Sequence, residues 1–131
     1  MVKILLCFIT TDFYKEEKYI LSSREDAIIL PSIEIDNYKD LSNNIKQIAI
    51  NQFFQDQRMA TQYLDPKFIS INDQNISELY NDSSDVLYFL YGCICPKLLT
   101  QPQFYWKVFD IYDQNILTEL RIINNVIEHT I

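Results

Sequence analysis

The sequence predicts one α/β domain of the α+β sandwich type, spanning residues 1–131, in which a mixed sheet is flanked by helices. Three observations predict it: short apolar runs rich in β-branched residues recur, two segments carry apolar residues at helical spacing, and 48% of the residues are hydrophobic. A chain of 131 residues with this apolar content can bury one continuous core without disulfides or a structural metal. The absence of repeats and of Pro/Gly/Ser-rich linkers indicates a single domain.

Several short apolar or alternating runs predict the strands of the sheet. They are residues 2–11, 19–22, 27–30, 33–35, 68–71, 86–91 and 104–112. The charged residues 14–18 separate the first two runs and predict a hairpin, and Pro31 ends the third run because it has no N–H to donate. The run 86–91 is apolar on both faces, so we expect it in the interior of the sheet. The polar stretch 72–85 predicts a loop, with a short turn at 76–80.

Two segments predict helices. From Leu41 onward, apolar residues recur at helical spacing and predict one helix that runs to about Met59, with Asp40 or Ser42 as its N-cap. Asp113 is a suitable N-cap for a last helix. The inner stripe of that helix would comprise Ile116, Leu117, Leu120, Ile123 and Ile127.

The charge of the chain limits its partners. A formal net charge of -7 repels phosphate backbones, so we expect no direct binding to nucleic acid or to an anionic membrane. A protein partner with a neutral or basic surface fits better, and a nucleotide held through a divalent cation stays compatible with the charge. The single glycine, Gly92, excludes a glycine-rich loop that cradles phosphates.

The cysteines and the composition suggest a compartment. Cys7, Cys93 and Cys95 form an odd set within apolar segments, which predicts free, buried thiols in a reducing, cytoplasmic setting. A zinc site normally needs four ligands, and His129 is the only histidine, so we predict no metal. We interpret His129 as a surface residue near a helix C-terminus. The first apolar run is too short to span a bilayer. Abundant isoleucine and asparagine are typical of AT-rich genomes, including those of many large DNA viruses, and suggest host cytoplasm or a virion as a setting.

The order of elements resembles the Nudix fold, in which early strands lead to a Leu-Pro pair, a loop, and a helix carrying a conserved box. The pair here is Leu30-Pro31. The family's box ends in Arg-Glu-hydrophobic-x-Glu-Glu-x-Gly-hydrophobic, and residues 51–59 can be laid over it without a gap. Phe53 and Met59 then fall at hydrophobic positions. The order of elements matches over most of the chain, whereas the motif-level similarity is limited to residues 30–59.

The resemblance also implies which chemistry has been lost. In active members, box glutamates on one helical face bind the divalent cations that carry a diphosphate and its attacking water. This chain has Gln52, Gln55 and Asp56 at those positions, Asn51 in place of the arginine, and Asn43 in place of an earlier glutamate. An amide carries no charge to offset a dication. The resemblance therefore implies a pseudoenzyme without a cofactor.

Four aromatic residues form the most distinctive apolar feature of the second half. They are Tyr88, Tyr91, Tyr105 and Trp106. Packing in the core is the first interpretation, because aromatic residues dominate cores as well as interfaces. All four are also candidate partner-binding residues, and Tyr105 or Trp106 becomes the leading one if it is exposed, since Trp and Tyr dominate interface energetics.

Three hypotheses follow. The first is a catalytically inactive Nudix-like binding or scaffolding module that acts in a protein assembly through the aromatic residues. The second is a divergent nucleoside-diphosphate hydrolase that needs magnesium and uses Asp56 with Glu34 or Asp36 as surrogate metal ligands. The third is an unrelated small α/β interaction protein. By this reasoning, a structure in which residues 41–59 are not one helix following a Leu-Pro loop would remove the Nudix argument altogether.

Overall fold

The computed structural model describes residues 2–12, 17–35, 40–72, 80 and 86–109. Within them the chain forms six strands and two helices. In chain order these are β1 (Val2–Asp12), β2 (Glu17–Ser22), β3 (Ser32–Glu34), α1 (Leu41–Phe53), α2 (Gln57–Tyr63), β4 (Lys67–Asn72), β5 (Leu87–Ile94) and β6 (Tyr105–Phe109). The predictions for the turn at 76–79, the helix from Asp113, His129 and Asp36 lie outside the described residues.

The strands form one mixed sheet, as the sequence predicts. Their order is β4-β5-β1-β2-β6, and β3 pairs with β1 outside this path. β1 runs parallel to β5, with Val2 opposite Leu87 and Ile9 opposite Ile94, and antiparallel to β2 and β3. The predicted hairpin of β1 and β2 and the predicted interior position of β5 are therefore confirmed.

Alternation along β1 divides the core between the two faces of the sheet. Ile4, Leu6 and Phe8 lie in one buried cluster, and Leu5, Cys7 and Ile9 lie in another. The first cluster also receives the inner stripe of α1 and one residue of α2, namely Ile45, Ala49, Ile50, Phe53 and Ala60. Both described helices therefore pack on the face that carries Phe8. No described helix has the length and apolar character needed to cross a membrane.

The predicted single helix over residues 41–59 is wrong, because the structure breaks it at residues 54–56. α1 ends at Phe53, because Phe54 adopts an extended conformation with φ -120° and ψ 145°. Phe54 instead pairs with Thr100 through an isolated antiparallel bridge. A second helix then begins at Gln57. Helical spacing continues through Phe54, so the break reflects a distant pairing partner that overrides local propensity.

α1 starts close to its predicted position, but no side chain caps its first turn through a hydrogen bond. Asp40 is the N-cap residue, with φ 52° and ψ 48°, and its side chain caps no backbone N–H. Its carboxylate accepts a hydrogen bond from Nδ2 of Asn43 at 2.9 Å. Aspartate is among the few residue types other than glycine that enter this left-handed region readily.

Two predicted strands also differ from the structure. Residues 27–30 form no strand, because the buried hydroxyl of Ser22 holds this segment as a compact loop: it accepts from the Ile29 N–H at 3.0 Å and lies 2.7 Å from the Ala27 carbonyl. The strand predicted at 104–112 forms over Tyr105–Phe109, and residues 110–112 lie outside the described part.

Candidate functional site

The end of α1 is joined to the chain that precedes β6, and we call residues 53–56 together with 98–101 the helix-break junction. Four hydrogen bonds hold it. They run from Gln55 N to Leu99 O at 3.0 Å and from Gln101 N to Phe53 O at 2.8 Å, from Gln55 Nε2 to Thr100 O at 2.8 Å, and from Gln101 Nε2 to Phe54 O at 3.2 Å. Gln55 thus donates to two backbone carbonyls of the facing loop, and Gln101 donates to two at the end of α1. Each glutamine uses both its backbone N–H and its side-chain amide, so these carbonyls have hydrogen-bond partners although the helix ends here.

Aromatic rings fill the space beneath the junction. Phe53 and Phe54 are fully buried. The Phe54 ring meets Phe8 edge to face at 5.3 Å between centroids, and the Phe53 ring meets Phe104 at 4.7 Å. Trp106 lies 6.5 Å from Phe54. Edge-to-face pairs add to the stabilisation from burial alone, so the junction is anchored to the core.

The predicted box positions do not share one helical face. Asn51 and Gln52 are exposed on the last turn of α1, and Gln55 is bound to Thr100 beyond the end of that helix. The Asp56 carboxylate accepts the Met59 N–H at 3.0 Å, which makes Asp56 the N-cap of α2. The break between the two helices therefore separates positions that an unbroken helix would align.

The other proposed metal ligands lie elsewhere. Glu34 faces Lys3 across β1 and β3, with 3.8 Å between its carboxylate and the lysine amine. The junction rests on Phe8, five residues further along β1, which corresponds to about 16 Å of strand. Asn43 is exposed on the first turn of α1. The structure therefore does not bring Glu34 or Asn43 to Asp56.

The donor set at the box positions does not fit a magnesium ion. Magnesium binds oxygen ligands and relies on carboxylates to offset its charge. Asp56 supplies the only carboxylate among these positions, and that carboxylate caps α2. Among the residues that the structure describes, no group of three or more His, Cys, Asp or Glu side chains could hold a metal ion.

The four aromatic candidates separate into two pairs. Tyr88 and Tyr91 are 2% and 5% exposed, so their proposed role as surface anchors is corrected to core packing. Tyr88 lies in the cluster opposite the helices, and Tyr91 contacts Phe68 edge to face at 5.7 Å. Tyr105 and Trp106 are half-buried, and the Trp106 Nε1–H donates to the Leu98 carbonyl at 2.8 Å.

Thr100 and Gln101 are the site residues that the sequence prediction missed. No local pattern marks them as partners of the box segment, because their role depends on contacts with residues more than forty positions away. One signal was available: Asp56 precedes a short helical stretch, and aspartate is a preferred N-cap residue. Reading Asp56 as a cap would have placed a helix start at Gln57.

Comparison with solved structures identifies the fold. The Nudix domain of NrtR from Shewanella oneidensis, complexed with ADP ribose, matches with a TM-score of 0.60 and 13% identity over 100% of this chain and 88% of that one. A MutT/nudix family protein from Enterococcus faecalis matches with a TM-score of 0.62 and 8% identity over 97% of this chain. This chain spans 62% of the length of that protein.

A third similar structure is a domain that was solved together with a partner protein. The C-terminal domain of mouse MUTYH, in complex with human PCNA, matches with a TM-score of 0.51 and 11% identity over 98% of this chain and 88% of that one. No family profile matches the sequence, and no curated protein matches it. These likenesses establish the Nudix-like fold, and the predicted fold is confirmed although residues 41–59 are not one helix.

Proposed function

We propose that this Nudix-like chain is a binding module of a protein assembly and does not perform Nudix hydrolysis. The observation that carries the proposal is that polar side chains of residues 51–59, the segment laid over the Nudix box, form hydrogen bonds within the fold. Its single carboxylate, on Asp56, caps α2, and Gln55 closes the helix-break junction. Both side chains have structural partners, so this segment contributes to folding where an active enzyme would bind cations.

The charge at these positions supports the same conclusion. An aspartate that accepts a backbone N–H keeps some capacity to bind a cation, but one monodentate carboxylate with neutral amides leaves a dication largely uncompensated. A diphosphate substrate adds further negative charge to a chain that already carries -7. Without bound cations, the surface repels the substrate class of this fold family.

The surface that we propose for the partner lies beside β6, and we call it the β6 surface: Leu99, Trp106 and Val108. Trp106 and Val108 are two residues apart and so face the same side of the strand. Val108 is 53% exposed and Leu99 is 66% exposed. Leu99 follows Leu98, whose carbonyl accepts the Trp106 N–H.

The position of β6 in the sheet also suits a partner. β6 is the last strand in the order and pairs with β2. No other strand of the described residues pairs with its outer edge, and the edge of a sheet is a recognised site for adding a partner strand. The MUTYH domain, found in complex with PCNA, supports the idea that a fold of this kind can hold a protein partner. We propose an intracellular, viral assembly as the setting, on composition alone.

The experiment that tests the loss of chemistry is isothermal titration of the purified chain with MgCl2 or MnCl2, alone and with ADP-ribose or a nucleoside diphosphate. The matched variants are Asp56→Asn and Asp56→Ala. Asparagine is as good an N-cap as aspartate but has no charge, so Asp56→Asn separates capping from metal binding. We expect no cation-dependent heat in the wild type or in either variant.

Cation-dependent binding of ADP-ribose that is lost in Asp56→Asn would overturn the proposal and restore the hydrolase hypothesis. A turnover assay with the same compounds is the direct complement. Binding of ADP-ribose without a cation would contradict a purely protein-binding role. The proposed loss of metal-dependent hydrolysis would still stand in that case.

The experiment that tests the β6 surface is site-specific photo-crosslinking in cells that express the chain. A photoreactive residue at Val108 is compared with one at Gln47, an exposed position on α1. We expect a crosslinked protein of defined mass at Val108 that is absent at Gln47 and is lost when Leu99→Asp is added. Equal crosslinking at both positions, or none at Val108, would refute this surface.

A further inference from the structure

One face of the sheet is apolar and buried, although neither described helix packs on it. We call it the second face and define it by Leu5, Cys7, Ile9, Ile20, Leu90 and Phe109. The first five of these residues are each at most 1% exposed. The core residues of α1 and α2 belong to the cluster on the opposite face. Because a wide apolar area is rarely left open to water, the second face needs a cover.

Single side chains of the described part contact the second face at its rim. They are Ile28, Ile69, Tyr80 and Val86, and each of them is partly exposed. Tyr80 lies towards one end, where its ring is 5.8 Å from that of Tyr88 and its hydroxyl donates to the Leu30 carbonyl at 2.8 Å. Partly exposed side chains mark the border of a covered area, so the centre of the face, around Cys7 and Ile9, requires a further layer.

The chain leaves the described part beside this face. Phe109 is the last described residue; it ends β6, and it lies in the second face. Residues 110–131 follow it and are the longest segment outside the described part. The other internal segments outside it, 13–16, 36–39, 73–79 and 81–85, are too short for a helix that crosses a sheet. Residues 110–131 therefore have both the length and the starting point for the missing layer.

The sequence after Phe109 also matches an apolar face. Its apolar residues recur at helical spacing and form the stripe Ile116, Leu117, Leu120, Ile123 and Ile127. A helix over residues 113–127 would be about 22 Å long. The path β4-β5-β1-β2-β6 is about 19 Å wide at the usual spacing of neighbouring strands. One helix is thus long enough to reach across the sheet with its stripe against the second face.

We propose that residues 113–127 dock on the second face as an amphipathic helix. The occupant of this face is then a segment of the same chain, and the sheet has a helical layer on both sides. Trp106 packs against the cluster on the opposite face, and Val108, two residues further, shares its side of β6. The docked helix therefore closes the second face to other proteins and leaves the β6 surface open to a partner.

The direct test is a nuclear Overhauser experiment on the full-length wild-type chain with labelled isoleucine and leucine methyl groups. We expect signals from Leu120 and Ile123 to Leu5, Ile9 or Ile20 within one chain, because packed apolar side chains approach within about 4.5 Å. Absence of every such signal would overturn the proposal. Signals found only between differently labelled chains in a mixed sample would overturn it too, because the occupant would then be a second copy.

The thiols provide a second readout, because Cys7 lies in the second face whereas Cys93 and Cys95 lie in the opposite cluster. Peptide mapping after iodoacetamide labelling gives the rate at each cysteine. Leu120→Asp should raise the rate at Cys7 at least about tenfold relative to Cys93, because an unpaired carboxylate is costly to bury against an apolar face. Thr118→Asp is the matched control and should leave this ratio unchanged, since position 118 falls on the opposite side of a helix from position 120.

An unchanged ratio in the folded Leu120→Asp chain, or an equal rise in Thr118→Asp, would contradict the proposal. Unfolding of a variant would accelerate Cys93 together with Cys7 and so is recognised from the ratio. In that case the methyl contacts of the wild-type chain decide the question.

Discussion

Gln55 donates its side-chain amide to the backbone carbonyl of Thr100 at 2.8 Å, and its backbone N–H donates to the adjacent Leu99 carbonyl at 3.0 Å. One residue thus joins the end of α1 to the loop that leads into β6. The Nudix box, laid over residues 51–59 as the sequence prediction has it, carries a glutamate at this position. A carboxylate could not make the side-chain bond, because it has no proton to donate.

Gln55→Glu should therefore destabilise the chain and fail to create a cation site. The new carboxylate would face the Thr100 carbonyl, and the loss of one hydrogen bond lowers the free energy of unfolding by about 1 kcal/mol. Urea unfolding measures the change. Gln52→Glu, at an exposed position of α1, is the matched control and should stay within about 0.5 kcal/mol of wild type. Equal stability of the two variants would contradict the assigned role of Gln55.

Asp56→Ala should lower the free energy of unfolding by about 1 kcal/mol, because α2 loses its N-cap. Asp56→Asn should stay close to wild type, since asparagine accepts the Met59 N–H equally well. Thermal unfolding followed by circular dichroism provides the comparison. If Asp56→Asn were as unstable as Asp56→Ala, the carboxylate charge would matter more than the cap.

Phe54→Ala should be among the most damaging single substitutions, with a loss of about 3–5 kcal/mol. The residue is completely buried and its ring meets Phe8 and Trp106. Phe68→Ala is the contrasting variant. Because Phe68 is 51% exposed, this substitution should lower the free energy of unfolding much less. The midpoint of urea unfolding ranks the two, and a larger loss for Phe68→Ala would contradict the anchoring role of the junction.

Ser22→Ala should lower the free energy of unfolding by about 1–3 kcal/mol, because it leaves partly buried backbone groups without their hydrogen-bond partner. The Ser22 hydroxyl accepts from the N–H groups of Arg24 and Ile29 at 3.2 and 3.0 Å, and the residue is fully buried. Ser23→Ala removes one hydroxyl contact of 3.3 Å and serves as the neighbour control. Hydrogen exchange of the Ile29 amide should accelerate in Ser22→Ala alone.

The carboxyl of Asp26 should titrate below its ordinary range, because the Arg24 guanidinium donates two hydrogen bonds to it, at 3.0 and 2.7 Å, and lowers its pKa. Because the pKa of Asp26 is depressed, the ion pair stabilises the folded chain at neutral pH. This stabilisation is lost as the pH falls through the folded-state pKa. The contribution is small because the pair is exposed to solvent. Carboxyl chemical shifts followed by NMR should show the pKa rise in Arg24→Ala, and an unchanged value would exclude the arginine as its cause.

The parts of this fold that sequence predicts are those set by neighbouring residues. The charged turn between two apolar runs predicts the hairpin of β1 and β2, and the unbroken apolar run in β5 predicts an interior strand. The break after Phe53 could not be predicted in the same way, because Phe54 continues the helical spacing while its partner, Thr100, lies far along the chain. The box positions stay a prediction from the resemblance, and the hydrogen bond that Gln55 makes with Thr100 depends on that distant loop.

The parallel pairing of β1 with β5 also bears on how the chain is made. β1 is the first strand, yet it pairs in register from Val2 opposite Leu87 to Ile9 opposite Ile94. During synthesis on the ribosome, β1 and β2 can form their hairpin early, but the strand that covers the other edge of β1 is translated much later. Until then the backbone N–H and C=O groups of that edge have no native partner, and contacts between distant segments form slowly. Over the interval between the emergence of β2 and that of β5, the nascent chain therefore exposes an unpaired strand edge, a feature that favours aggregation.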